Sequence, residues 1–239
     1  EVHGAMGDGT LRRLESRLAY LRNLEQRRQE IQRAVENQGK MTPALQQALE
    51  RAFTLAELED LYRPYKQKRR TRATAAREKG LEPLAQTIFA QRMDLAPLAQ
   101  LAQAYVKEGG ADSVEQALQG AADILAEQIS DDAKIRSQLR GWMQSHASLA
   151  AVANDPEQDS VYRHYYGFSQ RLDRLQSHQI LALNRAEKEG ILKVQLQAER
   201  AALLQLVRRA VVVPGSPAME FVKAAAEDSY DRLIAPSME

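Results

Sequence analysis

The sequence has no cysteine, so it can hold neither a disulfide framework nor a thiolate metal site. That suits a reducing, cytoplasmic setting. Aromatic residues are scarce, at 5%, and no apolar run approaches the ~20 residues needed to cross a bilayer. A membrane partner is therefore not expected. The chain starts Glu1-Val2-His3-Gly4, which is neither a signal peptide nor an initiator start, and it ends in a charged, helix-like tail. Both ends read as cut from something longer. What remains is a 239-residue chain rich in Ala, Leu, Gln, Arg and Glu. These side chains lose little rotamer freedom on a helix, and the composition points to a mostly α fold.

The periodicity agrees. Leu11, Leu14, Leu18, Leu21, Leu24, Ile31 and Val35 recur at steps of three and four, one apolar stripe on a helix from about 10 to 37. Asp8 and Thr10 are candidate caps for it, and Gly39 ends it. Thr42-Pro43 opens the next helix. Thr54 and Glu57 form a capping box for a short helix reaching Tyr62, which Pro64 stops. Short helices follow at 74–79, after Pro83 and after Asp94. Ser113 to Gln116 opens another, and Asp131 or Asp132 one more. Such alternation suggests a multi-helix bundle of antiparallel hairpins. Segment 154–175 is polar and carries Tyr162, Tyr165, Tyr166 and Phe168. Ser177 caps a helix to Glu189, and Ile191 to Gln197 alternates as a strand does. Its partner is sought in 161–166 or outside the sequence, so at most a small β element is expected near 161–166 and 191–197. Helices close the chain at about 199–213 and 218–234. A division into a helical domain, 1–150, and a central helical region with a short strand, 151–239, fits this pattern.

One stretch departs from an ordinary scaffold. Between Arg63 and Lys79 there are eight basic residues against the single acid Glu78. The segment carries net +7 in a chain of net +1, so its surroundings sum to −6. A local basic patch is the usual footprint of a polyanion. Arg63, Lys66, Lys68, Arg69, Arg70 and Arg72 could neutralise phosphates, and Tyr65 could stack on a base. The competing reading is a loop that pairs with acids elsewhere. Other chemistry is thin. The glycines Gly4, Gly7 and Gly9 lead into a helix, but without the strand or Lys-Ser/Thr of a phosphate loop. His3, His146, His164 and His178 make no metal-spaced pair, and His146 reads as a hydrogen-bonded core residue. Asp155, Glu157 and Asp159 mimic a calcium loop, but Ser160 and Tyr166 stand where Gly and Glu are needed. No nucleophile elbow or serine–histidine–acid set is present, so neither catalysis, a cofactor nor a small-molecule substrate is expected.

Several motifs carry a resemblance. Leu58-Glu-Asp-Leu-Tyr-Arg-Pro-Tyr-Lys-Gln-Lys-Arg-Arg-Thr71, Gly80-Leu-Glu-Pro-Leu-Ala85, Val114 to Asp123, Ser177-His178 with Leu183 to Gly190, and Ala226 to Ser237 occur in order. Together they resemble the bacterial transcription accessory protein family Tex, nearly end to end. Gln179 and Ala186 depart from that family's pattern. The resemblance implies a mostly helical protein, related to a eukaryotic transcription elongation factor. It also implies RNase H-like, helix-hairpin-helix and RNA-binding OB-fold domains that this stretch does not match. By that resemblance the chain is a non-enzymatic scaffold that contacts RNA or DNA without sequence preference. The alternative is a scaffold whose basic loop docks on other domains or on the transcription machinery.

Overall fold

A computed structural model describes residues 8–67 and 69–238. The chain falls into two compact units, Glu1–Lys68 with Asp131–Ala133, and Arg69–Ser130 with Lys134–Glu239.

In the first unit, α1 (Asp8–Asn37), α2 (Pro43–Arg51) and α3 (Leu55–Tyr62) enclose a core of Leu24, Ile31, Val35, Leu49, Ala52 and Leu58. Asp8 and Thr10 lie within α1 rather than ahead of it. Thr42 Oγ1 accepts the Leu45 N–H at 3.2 Å, and Thr54 and Glu57 form the expected reciprocal capping box. Gly39 takes φ +65°, the left-handed conformation a helix end needs. Arg28, which interrupts the apolar stripe, has a structural task. Its Nε and Nη2 donate to the carbonyls of Leu49 and Ala52, both at 2.9 Å. It thus adds donors at the C-terminal end of α2, where Leu49 also accepts the Ala52 N–H and Ala52 is the residue that follows the helix.

In the second unit, α4 (Arg72–Glu78), α5 (Glu82–Phe89), α6 (Leu98–Gln103) and α11 (Met219–Asp228) pack on α7 (Val114–Ser130). Their core includes Ala76, Leu81, Ile88, Ala121, Ile124, Leu125 and Val222. Gly120 permits the close approach, since a Cβ there would stand 2.4 Å from Leu81 Cδ1. α8 (Ala133–His146), α10 (Arg200–Val211) and the π-helical turn Ser229–Ile234 surround Ile129, Leu139, Leu203, Val207 and Tyr230. A short α12 (Ala235–Met238) continues that turn. The helix expected after Asp94 instead starts at Leu98, behind Pro97. The Asp94 carboxylate receives two hydrogen bonds from Arg92, which occupies it away from any cap.

The small sheet lies in the second unit, with order β2-β1-β3 and both pairings antiparallel. Its strands are β1 (Ser148–Ala153), β2 (Phe168–Arg171) and β3 (Leu192–Gln197). The alternating stretch is a strand, but its partner is not 161–166. That segment holds a 3₁₀ turn, Arg163–Tyr165, and β3 pairs with β1, Ala150 opposite Gln195. α9 (Ser177–Lys188) packs on the sheet through Leu183 and Ala186. Its start is closed by Gln179, whose Oε1 accepts the Gln176 N–H at 2.9 Å, and not by Ser177. His146 is hydrogen-bonded, as read, to the Trp142 carbonyl at 2.9 Å. It is exposed rather than in the core, stacked on the Trp142 ring at 4.5 Å.

Candidate nucleic-acid interface

The basic segment is divided between the two units, and each part has its own surroundings. In the first unit, Arg63 and Tyr65 lie in a 3₁₀ turn that follows α3 around Pro64. Arg63 Nε is 3.2 Å from an Asp131 carboxylate oxygen. Tyr65 is half-buried and packs on the first unit's core, and its carbonyl accepts from Gln38 at 2.9 Å. Lys66 Nζ donates to Glu59 at 2.5 Å, and Arg27 donates to the other oxygen of that carboxylate at 2.6 Å. Both cations also lie over the Tyr62 ring, at 5.6 Å for Arg27 and 5.7 Å for Lys66. Burial pushes the Glu59 carboxyl up, but the hydrogen bonds from Arg27 and Lys66 outweigh it and hold the group below its ordinary value. Lys68 lies outside the described residues, as do His3 and the glycines Gly4 and Gly7.

In the second unit, Arg69, Arg70 and Arg72 are exposed. Among the described residues, neither Arg69 nor Arg72 has a carboxylate within ion-pair distance. Arg70 meets Glu78 at 2.7 Å, but with both side chains more than half exposed. Such a solvated pair is worth little and opens readily. Between these arginines sits Thr71, the cap of α4, whose hydroxyl accepts the Thr74 N–H at 3.0 Å. The cations that follow are engaged. Arg77 donates to Glu127 and to Glu82, both at 2.7 Å, and Lys79 donates to Gln116 at 3.1 Å.

Two acids on α7 organise this region, and sequence reasoning missed both. Asp123 and Glu127 are one helical turn apart, and each is only 8% exposed. Glu127 takes the Thr71 hydroxyl at 2.9 Å on one oxygen and the Arg77 guanidinium on the other. Asp123 lies 3.6 Å from Arg232, which is itself held by Asp228 at 2.6 Å. Burial pushes the Asp123 carboxyl above its ordinary value, against the pull of Arg232 and Arg72. The legible signal was a pair of acids, four residues apart, in the run from Ala121 to Ile129, where Gln128 is the one other polar residue. Buried acids in such a run need partners. Chemically, the region presents three solvent-facing guanidiniums beside a cap fixed from below. It offers phosphate oxygens charge and hydrogen-bond donors.

Comparison with known proteins places the chain. The Tex central region-like family model matches residues 94–238, more than half of the sequence. The chain belongs to the Tex family. Among its relatives, protein tex of Bordetella pertussis is 43% identical over 201 residues, covering 83% of this chain and 25% of that protein. The transcriptional accessory protein Tex of Neisseria gonorrhoeae is 36% identical over 199 residues, covering 82% of this chain and 26% of that one. A more distant relative, the S1 RNA-binding domain-containing protein 1 of Pongo abelii, is 27% identical over 248 residues, covering 95% and 24%. The chain thus spans about a quarter of the length of these relatives. No helix among the described residues is long and apolar enough to cross a membrane.

Proposed function

We propose that this chain is a helical scaffold module of a cytoplasmic, Tex-like transcription accessory protein. In this reading Arg69, Arg70 and Arg72 contact nucleic-acid phosphates without regard to sequence. Lys68 adds its charge by position in the chain, and RNA is the favoured strand. The module binds and holds; it makes and breaks no bond. The observation that carries the reading is a contrast within one segment. Arg77 and Lys79 are spoken for by Glu127, Glu82 and Gln116, while Arg69, Arg70 and Arg72 face solvent beside a fixed cap. A guanidinium left in water is free to release the condensed counterions of a polyanion. The names of the relatives, one a transcriptional accessory protein and another an S1 RNA-binding domain-containing protein, support the same direction.

The test is fluorescence-anisotropy binding of labelled single-stranded RNA and duplex DNA across a salt series. The wild-type chain is compared with the Arg69→Ala, Arg70→Ala, Arg72→Ala triple variant. Binding that weakens with salt and is lost in the triple variant supports the reading. No binding at low salt by a folded protein overturns it. A second reading has its own observation: Arg63, Lys66 and Arg77 already pair with carboxylates of their own unit. The segment can therefore recognise acidic protein surfaces, and its exposed part would dock on one. Retained nucleic-acid affinity of the triple variant, with loss of binding to transcription proteins, would favour that reading.

A further inference from the structure

We infer that Glu127 is the positioning residue of the arginine loop, fixing Arg69, Arg70 and Arg72 without touching their ligand. The inference concerns how the loop is held; its consequence for affinity rests on the reading just proposed. The Thr71 hydroxyl has one proton and two lone pairs. It accepts the Thr74 N–H at 3.0 Å to cap α4, so a lone pair is used there. The Glu127 carboxylate, 2.9 Å away, has no proton to give, so it takes the hydroxyl proton. The Thr74 hydroxyl, 2.9 Å from Thr71 Oγ1, then donates to the remaining lone pair. Every valence of the cap is used, and its direction is set by the buried carboxylate.

The other Glu127 oxygen takes Arg77 Nη1 at 2.7 Å, near the far end of α4. One side chain of α7 thus grips α4 near both ends. Thr71 is flanked directly by Arg70 and Arg72, so fixing its backbone at φ −104°, ψ 169° limits where those two can point. A preorganised loop loses less freedom on binding than a free one. Glu127 also places a negative charge close to the arginines, which by Coulomb attraction alone would compete with phosphate. The two roles predict opposite signs when the charge is removed, and that makes them separable.

The experiment is the Glu127→Gln variant, read in two arms beside Thr71→Val. In the first arm, hydrogen exchange is measured without nucleic acid. Amides of residues 69–75 are expected to exchange about tenfold faster in either variant, while those of α10 hold their protection. Unchanged exchange at 69–75 would overturn the inference. In the second arm, RNA affinity is expected to fall several-fold in Glu127→Gln although a competing negative charge has gone. An affinity that rises would show that charge alone matters and would overturn it. If Glu127→Gln does not fold, Glu127→Asp decides, because it keeps the charge but draws the carboxylate back from the Thr71 hydroxyl; unchanged exchange at 69–75 would again overturn the inference. If the wild-type chain binds no RNA, the proposed function fails while the exchange arm still decides the anchor.

Discussion

Residues 69–72 hold three cations and residues 77–79 hold two, in one unit, yet the two groups have opposite fates. The first group stands in solvent. In the second, Arg77 bridges Glu82 and the buried Glu127, and Lys79 meets Gln116. Their net charges, +3 and +1, do not say which cations are engaged. What separates the two groups is whether a carboxylate binds the cation itself: Glu127 of α7 takes the Arg77 guanidinium directly, whereas in the arginine loop it takes the Thr71 hydroxyl and leaves the guanidiniums in solvent. A basic run is therefore two devices, one part holding the fold and another left to meet a partner.

Substitutions can break this contrast, the largest effect first. Replacing Arg69, Arg70 and Arg72 by Ala should weaken RNA binding on the order of a hundredfold at low salt. The slope of log affinity against log salt should fall by roughly two. Thermal stability should stay within a degree or so, as measured by circular dichroism; a large loss would mean these arginines hold the fold. Glu127→Ala should do the reverse on stability, costing about 1–3 kcal/mol in urea unfolding, because Thr71 loses its acceptor and Arg77 a buried partner. Arg77 is itself 38% exposed, which keeps that cost toward the lower end.

Asp123 gives a pH-dependent test. Burial raises its carboxyl, so the folded chain binds this proton more tightly than the unfolded chain does. Its ionised form therefore opposes folding above the raised value, and that penalty lifts as pH falls toward the ordinary carboxylate range. Asp123→Asn should unfold at higher urea than the wild type at pH 7, with the gap closing near pH 4. A gap that widens on acidification would mean that the Arg232 contact dominates. Glu59 has the opposite sign. Its lowered carboxyl contributes stability above its unfolded value and loses it as pH falls through the folded one. The smallest effect belongs to Glu78→Gln. The Arg70–Glu78 pair is solvated, so stability should change by less than ~0.5 kcal/mol. RNA affinity should rise slightly as Arg70 is released.

The long α1 shows where reading a sequence stops. Its three-and-four spacing was legible and produced a helix through Asn37. The same stripe has two environments. Leu24, Ile31 and Val35 are at most 4% exposed, whereas Leu11, Leu14, Leu18 and Leu21 are 42–48% exposed. Periodicity states which face is apolar and is silent about what covers it. The strand β1 was missed for a related reason. Leu149-Ala-Ala-Val-Ala153 is a short apolar run that fits a buried strand or a helix alike, and only pairing with β2 and β3 chose.

By itself the sequence determined what depends on neighbours along the chain. Helices start at Thr42 and Thr54, and the chain turns through positive φ at Gly39, Gly80 and Gly190, because caps and backbone freedom act within a few residues; the helix read at 74–79 instead spans Arg72–Glu78, capped by Thr71. The sequence also determined that a basic segment exists and, through its motifs, the family. Tertiary structure decided which of those cations are open. That choice rests on Glu127, 56 residues from Thr71 and 50 from Arg77, and on burial, which alone turns a surface carboxylate into an anchor.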